Sequence, residues 1–251
     1  VERIAKPIEM PRPAQGAEPP RAAPPQFRYS RTRAITVAPE ALAAGHITGG
    51  QERTPLAEAF KRLRTRILQA MRERGHNALG VTSPRSGAGK TTVALNLAVH
   101  AAVEADWTVL LVDADVRRPG LCRALGLEPL PGLSEYLAGD APLDQLLLHP
   151  GFGRCVLLPA GAPLANPSEV LGSARMQDLA AELKRRYPDR LVIFDLPSLL
   201  DSADGIAVLP WVEALLLVVE EGGTAIEDVE RAAQLAGDGR LLGTVLNKSA
   251  G

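Results

Sequence analysis

A doubly wound α/β fold with a mostly parallel sheet is predicted by three observations. Short, near-continuous apolar runs recur along the chain, helix-like stretches separate them, and a glycine-rich turn joins the first run to a helix. Residues 1–52 precede this pattern and carry Pro11, Pro13, Pro19, Pro20, Pro24 and Pro25, with no sustained periodicity, which predicts a disordered or polyproline-like arm. One domain is expected over 53–251. It opens at Thr54-Pro55, where Thr can cap a helix and Pro can occupy its first turn. Leu56, Phe60, Leu63, Ile67 and Met71 then recur at helical spacing as a buried stripe, with Lys61, Arg62, Arg66 and Arg72 on the solvated face. Strands are expected at 78–81, 108–112, 155–158, 191–194, 214–219 and 241–246. Helices are expected at 93–99, 173–186 and 224–236. In such a sheet the ligand sits at the carboxyl ends of the strands.

Composition narrows the functional classes. A 251-residue chain with 46% hydrophobic residues can bury a substantial core, and its net charge of −1 does not advertise nucleic acid as a partner. Cys122, Cys155 and four scattered histidines form no CxxC pair and no zinc spacing, so a reducing, cytoplasmic setting is expected. The apolar run at 214–219 is strand-sized and falls far short of the roughly 20 residues that cross a bilayer. The first residues lack the basic-then-apolar order of a secretory signal.

The turn after the first strand reads Val81-Thr82-Ser83-Pro84-Arg85-Ser86-Gly87-Ala88-Gly89-Lys90-Thr91-Thr92. Its glycines allow close approach to phosphate oxygens, and its amides together with a helix N-terminus suit an anion. Ser86, Gly87, Ala88, Gly89, Lys90, Thr91 and Thr92 are therefore the expected nucleotide-binding residues of a P-loop NTPase. Lys90 would reach the β- and γ-phosphates of ATP, and Thr91 would ligate Mg²⁺. Pro84 stands where the usual pattern has its first glycine.

Two acidic motifs follow strands. In Asp113-Ala114-Asp115-Val116-Arg117-Arg118-Pro119 the aspartates are two apart, so in extended geometry they point to one side and can converge on a cation. Asp195 ends the apolar run Val192-Ile193-Phe194, in the manner of a carboxylate that holds Mg²⁺ through water. Thr91, Asp113, Asp115 and Asp195 are the expected metal set.

Together these segments resemble the bacterial tyrosine kinases of capsule and exopolysaccharide synthesis, in the form that is separate from its membrane activator. The resemblance covers about residues 51–250. It includes the second acidic motif at 113–119, Leu158-Pro159-Ala160-Gly161, Asn166-Pro167-Ser168-Glu169-Val170-Leu171, and Glu58-Ala59-Phe60-Lys61-Arg62-Leu63-Arg64-Thr65. The resemblance implies transfer of the γ-phosphate of ATP to tyrosine, with Lys90, Asp113 and Asp115 catalytic, Asp113 as base, and Asn247 contacting adenine. It also implies a homo-oligomer assembled through Glu58, Lys61 and Arg64, Lys61 standing where Arg is usual. Six helical residues turn about 240°, so Glu58 and Arg64 do not face one another and are free for a neighbouring subunit. A membrane chain-length-determinant co-polymerase is the implied partner, recruiting the chain to the inner face of the membrane, and a phosphatase is a further one. No nucleic acid is expected.

The resembled kinases usually end in a tyrosine cluster. Here the tyrosines are Tyr29, Tyr136 and Tyr187, and Tyr29 is the most reachable acceptor by sequence. Two competing readings share the fold. One is a positioning ATPase of chromosomes, plasmids or the division site, in which Arg85 would act as an arginine finger across a dimer. The other is an assembly ATPase or scaffold of the same polysaccharide system without kinase activity.

Overall fold

The computed structural model describes residues 32–104, 107–186, 190–237 and 239–249. Among them the strands are β1 (Arg33–Ala34), β2 (Ala78–Thr82), β3 (Thr108–Asp113), β4 (Leu148–His149), β5 (Cys155–Leu158), β6 (Arg190–Asp195), β7 (Ala214–Glu220) and β8 (Leu241–Asn247). They form one sheet in the order β1-β4-β5-β3-β6-β2-β7-β8. Neighbours are parallel except β4 and β5. Each predicted strand is present. The two-residue strands β1 and β4 are too short to show as strands in the sequence, although Leu146 and Leu147 lead into β4.

The central strands are covered on both faces, which explains their unbroken hydrophobicity. Leu79, Val81, Val109, Leu111, Leu191, Ile193, Leu216 and Val218 enter one core. Their sequence neighbours Ala78, Leu110, Val112, Val192, Phe194, Leu215 and Leu217 enter the other. This two-residue alternation is the pleat sending successive side chains to opposite faces. At Gly80 a Cβ would meet Leu196 Cδ1 at 2.7 Å, so only glycine lets β2 sit this close to its cover.

The helices are α1 (Pro39–Ala44), α2 (Pro55–Arg74), α3 (Lys90–Ala101), α4 (Leu121–Ala124), α5 (Leu133–Ala138), α6 (Leu143–Leu146), α7 (Pro167–Leu171), α8 (Ala174–Arg186), α9 (Ala203–Val208) and α10 (Ile226–Ala236). The first core takes side chains from α2 and α3, and the second from α5, α8 and α10. At the start of α2, Thr54 accepts a hydrogen bond from the Ala57 N–H at 3.2 Å, and Pro55 fills the first helical position. Such a cap stabilises a helix by about 1 kcal/mol. The buried stripe of α2 is Ala57, Phe60, Ile67, Leu68 and Met71, with Leu63 partly buried. Leu56, expected in that stripe, is 43% exposed, because the helix docks one position further round.

The expected structureless arm over 1–52 requires correction in its second half. Residues 1–31 lie outside the described residues, and Tyr29 with them. Residues 33–48 contain β1, α1 and the buried Ile47. Thr48 donates from both its backbone N–H (2.9 Å) and its hydroxyl (3.0 Å) to Asn96 Oδ1 of α3. Asn96 Nδ2 in turn donates to the His46 carbonyl at 3.0 Å. The folded unit thus begins before residue 53. Local periodicity is blind to this because the partners are about fifty residues away. No helix among the described residues is long and apolar enough to cross a membrane.

Candidate active site

Sheet order brings the three sequence motifs together. β6 lies between β3 and β2, with Asp195 registered against Asp113 on one side and Val81 on the other. The glycine-rich loop leaves β2, the first acidic motif ends β3, and Asp195 ends β6, so all three open at the same edge. Gly87 (φ 94°) and Gly89 (φ 90°) occupy left-handed backbone that other residues avoid, and Gly89 precedes the first residue of α3. A cavity of about 470 Å³ opens there. Ser86, Gly87, Gly89, Lys90, Thr91, Thr92, Asp115 and Arg118 line it, and Ala41, Ala44 and Gly45 of the N-terminal segment close its far wall. Ligand pockets typically span about 300–1,000 Å³.

Lys90 Nζ donates to Asp115 Oδ2 at 2.9 Å, and Thr91 Oγ1 donates to Asp195 Oδ2 at 2.6 Å. The segment after β3 folds over Thr91 so closely that a Cβ on Gly120 would lie 2.8 Å from Thr91 Oγ1. Burial opposes the charge on Lys90, yet the carboxylates of Asp195 and Asp115 outweigh it and raise its pKa. Burial first, then repulsion from Asp195, pushes Asp113 up to about 7, against the pull of the Leu121 and Gly120 amides. Burial also raises Asp195, with Lys90 and Thr91 opposing and Asp115 adding to the rise.

The residues present fit a divalent cation. Asp115 and Asp195 are buried beside the Lys90 ammonium, and Asp195 Oδ1 is buried with no hydrogen-bond partner, although among the described residues no three carboxylates group as a metal cluster. A buried carboxylate oxygen without a donor is costly unless a cation meets it. Thr91, Asp115 and Asp195 are the side chains placed to hold Mg²⁺, directly or through water.

Asp113 departs from its expected orientation. Its Oδ2 accepts from the Gly120 (3.0 Å) and Leu121 (2.9 Å) amides, and Oδ1 from the Asp115 amide at 3.2 Å. The paired aspartates therefore do not converge side by side. Asp113 folds the 114–121 segment onto the site, and Asp115 lines the cavity. The chain leaves extended geometry after Asp113, where β3 ends, and the two-residue rule stops applying.

Asn247 reaches the glycine-rich loop from the end of β8. Its Nδ2 donates to the Ala88 carbonyl at 2.8 Å. A second cavity, of about 940 Å³, lies beside it, with Phe60, Leu63 and Thr92 among its walls.

The assembly segment is more committed to its own chain than expected. Glu58 pairs with Lys61 at 2.8 Å within α2, and that hydrogen bond lowers the Glu58 pKa. Lys61 also donates to the Glu52 carbonyl at 2.6 Å. Arg64, expected to be free for a neighbour, pairs with Glu104 at 2.9 Å and reaches the His100 carbonyl at 3.4 Å. Glu58 and Arg64 do not face one another, and each has a partner within the chain, Lys61 of α2 for Glu58 and Glu104 beyond α3 for Arg64. Arg85 is likewise no free finger: its Nε and Nη2 donate to Asp228 at 2.6 and 3.0 Å.

Sequence reasoning missed Asp201, Asp204 and Asp228. Asp204 is buried against a two-bond contact from Arg117, at 2.6 and 3.2 Å, which anchors the acidic-motif segment to α9. Arg117 stood in a motif and was a signal. Asp201 and Asp228 stand in no pattern.

The family described as the CobQ/CobB/MinD/ParA nucleotide-binding domain matches residues 79–251. The tyrosine-protein kinase YwqD of Bacillus subtilis is 33% identical over 76% of this chain and 80% of its own length. The tyrosine-protein kinase etk of Escherichia coli is 36% identical over 70% of this chain, which spans only 24% of that larger protein. The solved kinase domain of the Escherichia coli tyrosine kinase ETK superposes with a TM-score of 0.70 at 30% identity, covering 85% of this chain and 96% of that one. The septum site-determining protein MinD of Pyrococcus horikoshii, solved with Mg-ADP, gives 0.54 at 28% identity over 67% of this chain and 68% of its own. The glycine-rich loop, the two acidic strand-end motifs and these likenesses agree that the chain belongs to the CobQ/CobB/MinD/ParA nucleotide-binding family, in its bacterial tyrosine-protein kinase branch.

Proposed function

We propose that this chain binds ATP with Mg²⁺ and transfers the γ-phosphate to a tyrosine hydroxyl, regulating exopolysaccharide or capsule production with a membrane chain-length-determinant co-polymerase. One observation carries the reading: the glycine-rich loop, Asp115 and Asp195 meet at adjacent strand ends, with Asp195 Oδ1 buried and unpartnered. The MinD structure with Mg-ADP supports the nucleotide and the metal. The names of the kinase relatives support the tyrosine acceptor.

Loop amides and Lys90 would hold the phosphates, and the second cavity beside Asn247 would take the adenine. Bound Mg²⁺ would neutralise charge on the β- and γ-phosphates. In the transfer, the phenolic oxygen bonds to the γ-phosphorus as the bond from that phosphorus to the bridging oxygen breaks, and ADP departs. A phenol with a pKa near 10 must lose its proton as this happens. The family resemblance makes Asp113 the base, a role that requires it to turn from the Gly120 and Leu121 amides toward the acceptor, whereas Asp115 already lines the cavity wall. Tyr136 is half-buried beneath the Arg175 guanidinium, 5.0 Å from its ring, so Tyr29 or another protein is the expected acceptor. The exposed Glu58 side of α2 is the proposed surface for self-association, and a phosphatase would reset the modification. The positioning-ATPase reading is disfavoured because the relatives YwqD and etk are named tyrosine-protein kinases.

The test is mass spectrometry after incubation with Mg-ATP and a tyrosine peptide, with and without the co-polymerase. Phosphotyrosine is expected, and Asp113→Asn should suppress transfer about a hundredfold more than it weakens ATP binding, the lower end of the roughly 10²–10⁴-fold range of a general base. ATP hydrolysis with no phosphotyrosine anywhere would refute the kinase reading and leave an assembly ATPase.

A further inference from the structure

The segment between β6 and α9 carries a carboxylate that no motif marks, and it reaches into the phosphate cavity's own walls. Asp201 Oδ2 accepts three hydrogen bonds: from the Ser86 amide at 2.9 Å, the Ser198 hydroxyl at 2.8 Å and Arg118 Nη2 at 3.2 Å. Its Oδ1 faces Arg85 Nη1 at 3.7 Å. Ser86 and Arg118 both line the cavity, one from the glycine-rich loop and one from the segment after β3. A loop amide and a guanidinium are donors of the kind that bind phosphate oxygens. Here one anionic oxygen holds both.

The network continues to the phosphate lysine. The Arg118 amide donates to Asp115 Oδ1 at 3.1 Å, and Asp115 accepts from Lys90 Nζ. Lys90 is the residue that would meet the β- and γ-phosphates. Positive charge around Asp201 is already balanced, because Arg85 is shared with Asp228. Burial opposes the Asp201 charge, but bonds from Ser198, Ser86 and Arg118 outweigh it and hold its pKa at about 2, so the carboxylate is ionised at any physiological pH.

We propose that Asp201 is a specificity-determining residue that discriminates nucleoside triphosphates from diphosphates, holding the Ser86 amide and Arg118 as an internal anion that only a terminal phosphate displaces. The proposal rests on the ATP reading above. A diphosphate seated on the amides at the start of α3 leaves Asp201 in place. A γ-phosphate meets the carboxylate's negative charge and competes for its donors. Displacement frees the segment that leads into α9, whose packing partner is α7. The same event thus reports the terminal phosphate to the second face of the sheet.

The experiment uses the full chain with Asp201→Asn and Asp201→Ala, titrated by calorimetry with Mg-ADP and with Mg and a non-hydrolysable ATP analogue. Removing a competing charge-assisted acceptor should tighten triphosphate binding about tenfold relative to diphosphate in both variants, with ADP affinity within about twofold of the parent. An unchanged ratio in variants that bind both nucleotides overturns the proposal alone. Loss of ADP binding in both variants assigns Asp201 to building the loop and also overturns it. A parent chain that binds neither nucleotide refutes the ATP reading itself.

Discussion

Lowering the pH should destabilise this protein through a single buried histidine, His100 of α3. Its ring stacks on Phe60 with centroids 5.9 Å apart, and its Nε2 shares a 2.9 Å hydrogen bond with Thr48 Oγ1. Thr48 gives its hydroxyl proton to Asn96, so the ring donates from Nε2, and Nδ1 is buried with no partner. Charging the ring would place a proton on Nδ1 with nothing to accept it. Burial, with the Arg64 and Lys61 charges adding, lowers the pKa from 6.5 to about 4. The folded value lies below the unfolded one, so protons bind the unfolded chain first. The stabilisation is complete above pH 6.5 and is lost as pH falls toward 4. Between pH 7.5 and 5 that difference amounts to about 2 kcal/mol by linkage. For a chain of this size it lowers the melting temperature by about 4–8 °C. The assay is thermal unfolding at both pH values for the parent and His100→Gln, which keeps an amide toward Thr48 and cannot titrate. The pH-dependent drop should shrink in the variant by that amount. An identical drop in both proteins would refute the assignment, since every other titrating group is common to them.

Two further outcomes are expected. Lys90→Met should weaken ATP binding at least a hundredfold, about 2.7 kcal/mol, by calorimetry on folded protein, and an unchanged affinity would remove the nucleotide site from this loop. Arg64→Ala should cost about 1–2 kcal/mol in urea unfolding, because Arg64 is mostly buried and tied to Glu104 and the His100 carbonyl. If Arg64→Ala instead leaves stability untouched and changes only the mass seen by light scattering, the residue serves assembly and not its own fold.

What the amino-acid order determined by itself is local and repetitive. The unbroken runs of β2, β3, β5, β6, β7 and β8 were legible because strands buried on both faces need apolar residues at every position. The cap at Thr54 was legible because it involves only neighbours within three residues. The loop with Gly87, Gly89 and Lys90 and the strand-ending Asp195 were legible because phosphate and metal chemistry demands few residue types at short spacing. Tertiary structure decided what depends on distant partners. Strand order placed β6 between β2 and β3, and so set Asp195 between the loop and Asp113. The turn after β3 sent Asp113 to backbone amides and Asp115 to the cavity. Residues 33–48 gained structure by pairing β1 with β4 and by meeting Asn96 and His100. Asp201 gained its position only where a loop amide and an arginine from separate segments converged on it. Short-range patterns carry the free energy of forming an element, whereas these choices are set by charges and hydrogen bonds that exist only once the elements have packed.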